Sequence, residues 1–139
     1  MGGKSNGKLE FLSDQSGNFA RMSGDVTTVN NGGFIQFRAQ LGAQLNNSVR
    51  GIRLKVRGNS QEYFIHLRTT GSILPWQYYG KGFYASGKWT EVELLFSDFK
   101  KSSTFMKRKI NPSTIRTVGI VAYGRNHQAD LEVHEVEFF

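Results

Sequence analysis

The stretch GIRLKVRG (residues 51–58), followed by NSQEYFIHLRT (59–69), decides the fold. Ile52, Leu54 and Val56 alternate with Arg53, Lys55 and Arg57. Beyond Gly58-Asn59-Ser60, the residues Tyr63, Ile65 and Leu67 alternate with Phe64, His66 and Arg68. Successive side chains of a strand point to opposite faces, so a period of two marks a strand with one buried face. Gly, Asn and Ser together form a turn-type cluster, and the two segments therefore read as a hairpin.

The same period extends outward from this centre. Upstream, Ile35, Phe37, Ala39 and Leu41 alternate with Gln36, Arg38 and Gln40, whereas 8–12 and 19–26 carry weaker strand signals. Downstream, 76–79 and 83–85 read as short aromatic strands separated by Gly80 and Gly82. Residues 89–96 follow, with Thr90, Val92, Leu94 and Phe96 on one parity, and 117–123 is strand-like through Val118, Ile120 and Ala122. Ser97-Asp98-Phe99 and Asn111-Pro112-Ser113 suit single helical turns, with Pro112 at a first helical position. In the last run Leu131 and Val133 change parity to Val136 and Phe138, which predicts a β-bulge near His134 and Glu135. No segment sustains a 3.6-residue apolar period over three turns, and no internal repeat is visible. Short, regularly spaced strands imply an all-β antiparallel sandwich or barrel in one domain spanning residues 1–139.

Composition sets outer bounds. The 139 residues suit one core. With no cysteine, disulfides, thiol catalysis and cysteine-bound zinc are excluded. No stretch approaches the length of a membrane span, and the MGGKSNGK opening lacks the apolar core of a signal peptide. A net charge of +7 raises the question of a polyanion partner. Its distribution argues against nucleic acid: the cations are scattered apart from one knot, Lys100, Lys101, Lys107, Arg108 and Lys109, which reads as a solvated loop.

Catalytic signals are weak. Gly2-Gly3-Lys4-Ser5-Asn6-Gly7-Lys8 superficially suggests a phosphate-binding loop, but Leu9 stands where Ser or Thr would hold magnesium. His66, His127 and His134 show no metal spacing, and no G-x-S-x-G elbow occurs. Glu91 and Glu93 share a strand face, as solvated acids on an alternating strand also would. The sequon Asn46-Asn47-Ser48 reads as chance. The polar side of the central strands is more distinctive. Parity places Gln36, Arg38, Phe64, His66 and Arg68 opposite the core, with Trp76, Gln77, Tyr78 and Tyr79 following and Arg125, Asn126 and His127 closing a later strand. Aromatic rings beside such donors suit a sugar ring or a peptide surface. Trp and Tyr in a sandwich also serve as core or edge packing.

Several short motifs occur in a telling order: Met1-Gly2-Gly3-Lys4-Ser5, Gly32-Gly33-Phe34, Tyr63 with Arg68, Trp76-Gln77-Tyr78, Trp89, Phe96-x-x-Phe99 and Ile115-x-x-x-Gly119. With them the whole chain resembles the complex I intermediate-associated protein 30 family. That resemblance implies a galactose-binding-like jelly roll, related in shape to carbohydrate-binding modules, and a non-catalytic role in assembling respiratory complex I. In the family the Met-Gly-Gly motif follows a segment carrying a strand; here it opens the chain. Either this member starts late or Met1 is an internal methionine. The expectation is a jelly roll lacking its first strand, its open edge covered by a symmetric partner or by a flexible arm, residues 1–7.

The resulting reading is a non-enzymatic binding module. Its surface is Arg38, His66, Arg68, Trp76 and Tyr78, with Arg125 at the rim, and it recognises a protein partner such as a complex I subunit. A carbohydrate-binding module is the alternative, with Trp76 and Tyr78 stacking the sugar while Arg68 and His66 bond its hydroxyls. A small glycosidase- or lyase-like sandwich ranks third. No cofactor is assigned, although jelly rolls of this shape often carry a structural calcium whose ligands one sequence does not name. The expected compartment is bacterial cytoplasm, or the mitochondrial matrix in a eukaryote.

Overall fold

In a computed structural model, which describes residues 6–27 and 33–139, the alternating segments become ten strands. They are β1 (Asn6–Asp14), β2 (Gly17–Val26), β3 (Phe34–Gln40), β4 (Gly51–Arg57) and β5 (Gln61–Thr69). The second half adds β6 (Tyr79–Ala85), β7 (Thr90–Leu95), β8 (Lys100–Lys101), β9 (Ile115–Tyr123) and β10 (His127–Phe138). A first five-stranded sheet has the order β1-β2-β10-β4-β7, and a second has the order β3-β9-β5-β6-β8. Every pairing is antiparallel. The two sheets pack face to face as the expected sandwich.

The core lies between β4 and β5, where alternation is strongest. Ile52, Leu54 and Val56 from one sheet, and Tyr63, Ile65 and Leu67 from the other, are each at most 1% exposed. Burying each such side chain contributes about 1.5–3 kcal/mol before chain entropy is subtracted. The bulge falls where the parity change predicts it, between Val133 and Val136. Single 3₁₀ turns form at Phe96–Asp98 and Pro112–Thr114.

Three expectations need correction. Residues 51–57 and 61–69 are not hairpin partners: β4 pairs with β10 and β7, whereas β5 pairs with β6 and β9. The link 58–60 crosses between sheets, because two apolar stripes can bury by facing each other as well as by lying side by side. Trp76, Gln77 and Tyr78 belong to a loop, and one strand, β6, runs straight through Gly80 and Gly82. A turn closes that loop: Gln77 N donates to Leu74 O at 3.0 Å, and Leu74 N donates to Gln77 Oε1 at 3.0 Å. Asn6 and Gly7, expected in a flexible arm, pair with Asp25 and Gly24 in β1; residues 1–5 lie outside the described residues. The weakly signalled segments 8–12 and 19–26 form a regular hairpin, β1–β2.

The sheet-to-sheet link is fastened at several points. Gly58 N donates to Ser86 O at 2.7 Å, and Ser60 N to Ala85 O at 2.8 Å. A Cβ on Gly58 would stand 2.6 Å from the Ala85 Cβ, so only glycine fits there. The fully buried Tyr63 donates its hydroxyl to Asn59 Oδ1 at 2.5 Å and accepts from Asp130 N at 2.8 Å, joining β5 to β10 of the opposite sheet. Asn59 Nδ2 in turn donates to Gln128 O at 2.7 Å. Replacement Tyr63→Phe leaves two of these groups without their partner. It is expected to cost about 1–3 kcal/mol in urea unfolding with an unchanged m-value.

Candidate functional site

The outer faces of the two sheets differ in charge. On the first sheet, cations meet acids across strands. Arg21 bonds Asp130 through two contacts of 2.8 and 2.9 Å, Arg57 bonds Glu132 at 2.7 Å, and Arg53 bonds Glu93 at 2.6 Å and Glu137 at 3.0 Å. Arg57 also lies 4.6 Å above the Trp89 ring. Every ion pair among the described residues lies on this first sheet, and all but Lys8–Glu10, which is within β1, join two strands. By contrast, residues 63–90 and 99–129, which build most of the second sheet and its loops, contain no acid at all.

Register then places particular residues side by side on the second sheet's outer face. Arg38 pairs with Gly119, Gly119 with His66, His66 with Gly80 and Gly80 with Lys100. The two glycines leave the floor low on either side of His66. A Cβ on Gly119 would stand 3.3 Å from Gln36 Nε2, and one on Gly80 would stand 3.3 Å from the Tyr78 ring. Above this row lie two adjoining hollows of about 380 and 490 Å³, which share Phe34, Gln36, His66, Pro75 and Tyr78. Together they form one groove.

The groove collects five of the six residues singled out from sequence. Arg38 and Arg68 line one end, Trp76 the other, and His66 and Tyr78 both. Arg125 is not brought there; it follows β9 and donates from Nη2 to Gln61 Oε1. Phe34, Pro75, Thr117, Gly119, Val121 and Tyr123, none of which the sequence assigned to the surface, also line the groove. The parity of 117–123 carried the signal for four of them, since Val118, Ile120 and Ala122 facing inward leaves their neighbours facing out.

The aromatic wall is tightly built. The His66 imidazole stacks on Tyr78 at 3.8 Å and 17°, with Tyr123 edge-on to it at 5.7 Å. Tyr123 packs on Phe64 at 4.7 Å. Burial, and secondarily the Tyr78 hydroxyl, push the Tyr123 phenol up to about 12, so it remains a donor at neutral pH. Burial also pushes His66 down to about 4, which leaves a neutral imidazole. Trp76 is 62% exposed at the groove mouth, so its ring is available to a ligand.

Polar groups divide between holding the wall and facing outward. Arg68 Nη2 donates to Ser72 O at 2.7 Å and Leu74 O at 3.0 Å, tying the loop that carries Trp76 and Tyr78. Arg68 Nε and His66 Nε2 are buried without a hydrogen-bond partner. Arg38 is exposed and has no ion-pair partner among the described residues. No carboxylate lines the groove. Nor do the described residues hold any group of three His, Asp or Glu placed for a metal ion.

A family model described as Complex I intermediate-associated protein 30 matches residues 1–133, in agreement with the motif order. No curated protein matches the chain. Among solved structures, a family 11 carbohydrate-binding module from Clostridium thermocellum, in complex with a β-1,3-1,4-mixed-linked tetrasaccharide, superposes with a TM-score of 0.81. It is 14% identical, over 98% of this chain and 84% of that one. A family 30 carbohydrate-binding module gives a TM-score of 0.69 at 10% identity, over 97% and 90% of the two chains. An exo-β-agarase gives 0.66 at 6% identity, over 97% of this chain but 22% of its own. At these identities the likenesses establish the sandwich fold.

The depressed His66 fixes a pH dependence. Its folded pKa, about 4, lies below the unfolded value near 6.5, so between these limits the unfolded chain binds more protons. The His66 contribution is therefore complete above about pH 6.5 and lost as pH falls toward 4, by on the order of 2–3 kcal/mol. Replacement His66→Phe keeps a flat ring against Tyr78 and is expected to flatten that part of the stability-against-pH curve, measured by urea unfolding.

Proposed function

This chain belongs to the complex I intermediate-associated protein 30 family, and from that premise we propose that it is a non-catalytic recognition module. Its groove on the second sheet holds an extended, acidic segment of a partner protein, a respiratory complex I subunit or assembly intermediate. One observation carries this reading: the groove presents Arg38, Arg68, Gln36, Thr117 and the aromatic wall, with no carboxylate among its lining residues. Cations that face a groove lined by no acid are complementary to an anionic ligand, and they raise its rate of encounter. Non-catalytic fits the same lining, because hydrolytic chemistry on a glycan needs two opposed carboxylates.

A second reading is favoured by Trp76. Its exposed ring, with His66, Tyr78 and Tyr123 along the same wall, offers the flat apolar surface on which a pyranose face stacks. The likeness to carbohydrate-binding modules supports that arrangement, with a neutral glycan as ligand.

The two readings separate on Arg38. Tagged protein incubated with lysate of the native host at low salt is expected to retain respiratory-complex subunits, detected by blotting. Arg38→Glu is expected to lower that recovery at least about tenfold, as loss of a key charged contact does. Recovery of no such subunit by the unmodified protein would count against the assembly role. Binding of a neutral mixed-linkage glucan that survives Arg38→Glu but not Trp76→Ala would establish the glycan reading instead.

A further inference from the structure

Two loops beside the groove, residues 70–78 and 102–111, carry large apolar side chains that the core does not use. Phe105 is 94% exposed, Ile73 82%, Trp76 62% and Leu74 41%. The loops adjoin each other. Ser102 Oγ donates to Trp76 O at 2.6 Å and accepts from Tyr78 N at 2.9 Å, and Ser102 N donates to Tyr78 O at 2.9 Å. The Tyr79 hydroxyl reaches Lys107 O at 2.5 Å.

These tips are held outward by design of the loops rather than by slack. Met106 and Ile110 anchor the second loop at 7% and 5% exposure, which leaves Phe105 on the opposite side of its turn. Lys101 Nζ ties that turn by donating to Thr104 O and Met106 O, each at 3.2 Å. In the first loop the Arg68 bonds to Ser72 O and Leu74 O, and the buried Gln77 against Leu74, fix the backbone on both sides of Ile73. The second loop and the strand before it carry Lys100, Lys107, Arg108 and Lys109, all exposed and none in an ion pair among the described residues.

We propose that these two loops dock the domain on an anionic lipid bilayer, with Phe105 and Ile73 entering the headgroup region and the lysine–arginine knot facing the acidic headgroups. Clustered basic residues are drawn to anionic leaflets, and rigidly presented apolar side chains gain by leaving water at the same surface. Charge alone would suit any polyanion; the apolar tips are what specify a bilayer, because a polyanion in water offers them no burial. The proposed attachment is peripheral, through these two loops; no helix among the described residues is long and apolar enough to cross a membrane. Phe105, Ile73 and the basic knot line no part of the groove, so the inference does not depend on which ligand the groove takes.

The test is co-sedimentation of the whole chain with phosphatidylcholine vesicles, with and without phosphatidylserine. Binding is expected only to the anionic vesicles and to fall steeply with added salt. Phe105→Ser with Ile73→Ser, and separately Lys107→Glu with Lys109→Glu, are each expected to weaken it at least about tenfold. Both pairs are exposed, so unchanged melting temperatures show that the fold is retained. Wild-type protein that stays in the supernatant, or vesicle binding indifferent to the serine pair, overturns the proposal. So does equal affinity for duplex DNA or soluble glycerophosphoserine that ignores the serine pair, since that would mark a site for anions in solution. Loss of respiratory-subunit recovery in the serine pair, with no vesicle binding, would reassign the tips to a protein contact and overturn it as well.

Discussion

The sandwich depends on how the chain passes from one sheet to the other after β4, and the Tyr63 hydroxyl is the point on which that passage is fixed. The phenol is fully buried, yet its oxygen both donates to Asn59 in the link and accepts from the Asp130 backbone in the facing sheet. A hydroxyl in a dry interior must find partners, so it selects one relative placement of the two sheets where apolar packing alone would tolerate several. Burial raises the phenol pKa, which keeps the proton that the Asn59 bond requires. With this crossing set, β4 and β5 face each other, and the outward side chains of β5 are left on a face of their own.

That face is shaped as much by what is missing as by what is present. His66 stands between Gly119 and Gly80, so the sheet surface dips on both sides of a ring stacked on Tyr78. The wall opposite is a loop held by Arg68, a residue whose cationic head is largely occupied with backbone carbonyls. Arg68 therefore acts on the groove through the position of Trp76 and Tyr78, whereas Arg38 is exposed and makes no ion pair among the described residues. Two arginines on one face have different work because only one lies within reach of a closed turn.

The strands were legible because a buried face imposes a period of two wherever it occurs, as in 51–57 and 61–69. Pairing was not legible, because the period is identical whether a strand faces its neighbour across the core or lies beside it; Ile52 and Tyr63 read alike in both cases. The bulge at Val133–Val136 was readable because it alters the period itself. Trp76 was misplaced for the opposite reason: its aromatic neighbours resemble a strand, and only the Leu74–Gln77 turn reveals a loop. In the site, parity placed Arg38, His66 and Arg68 correctly. Arg125, expected at the rim from its position at a strand end, does not line the groove and bonds Gln61 of β5. Tyr123 and Gly119 contribute through register, which no local window contains.

The one-sided placement of the acids has an effect before any contact is made. Seven of the eleven acids are engaged in ion pairs on the first sheet, while the second sheet and its loops, Glu62 near the start of β5 apart, are acid-free from 63 to 90 and from 99 to 129. Separated charge of this kind gives the domain a permanent electric dipole across its thin dimension. At physiological salt the field is felt over only about 8 Å, so long-range capture is modest. Within that last layer of water, however, a tumbling domain feels a torque that turns the second sheet toward a negative surface. For an anionic partner of the kind proposed above, orientation would be selected during approach, which shortens the rotational search that otherwise limits docking of one specific patch.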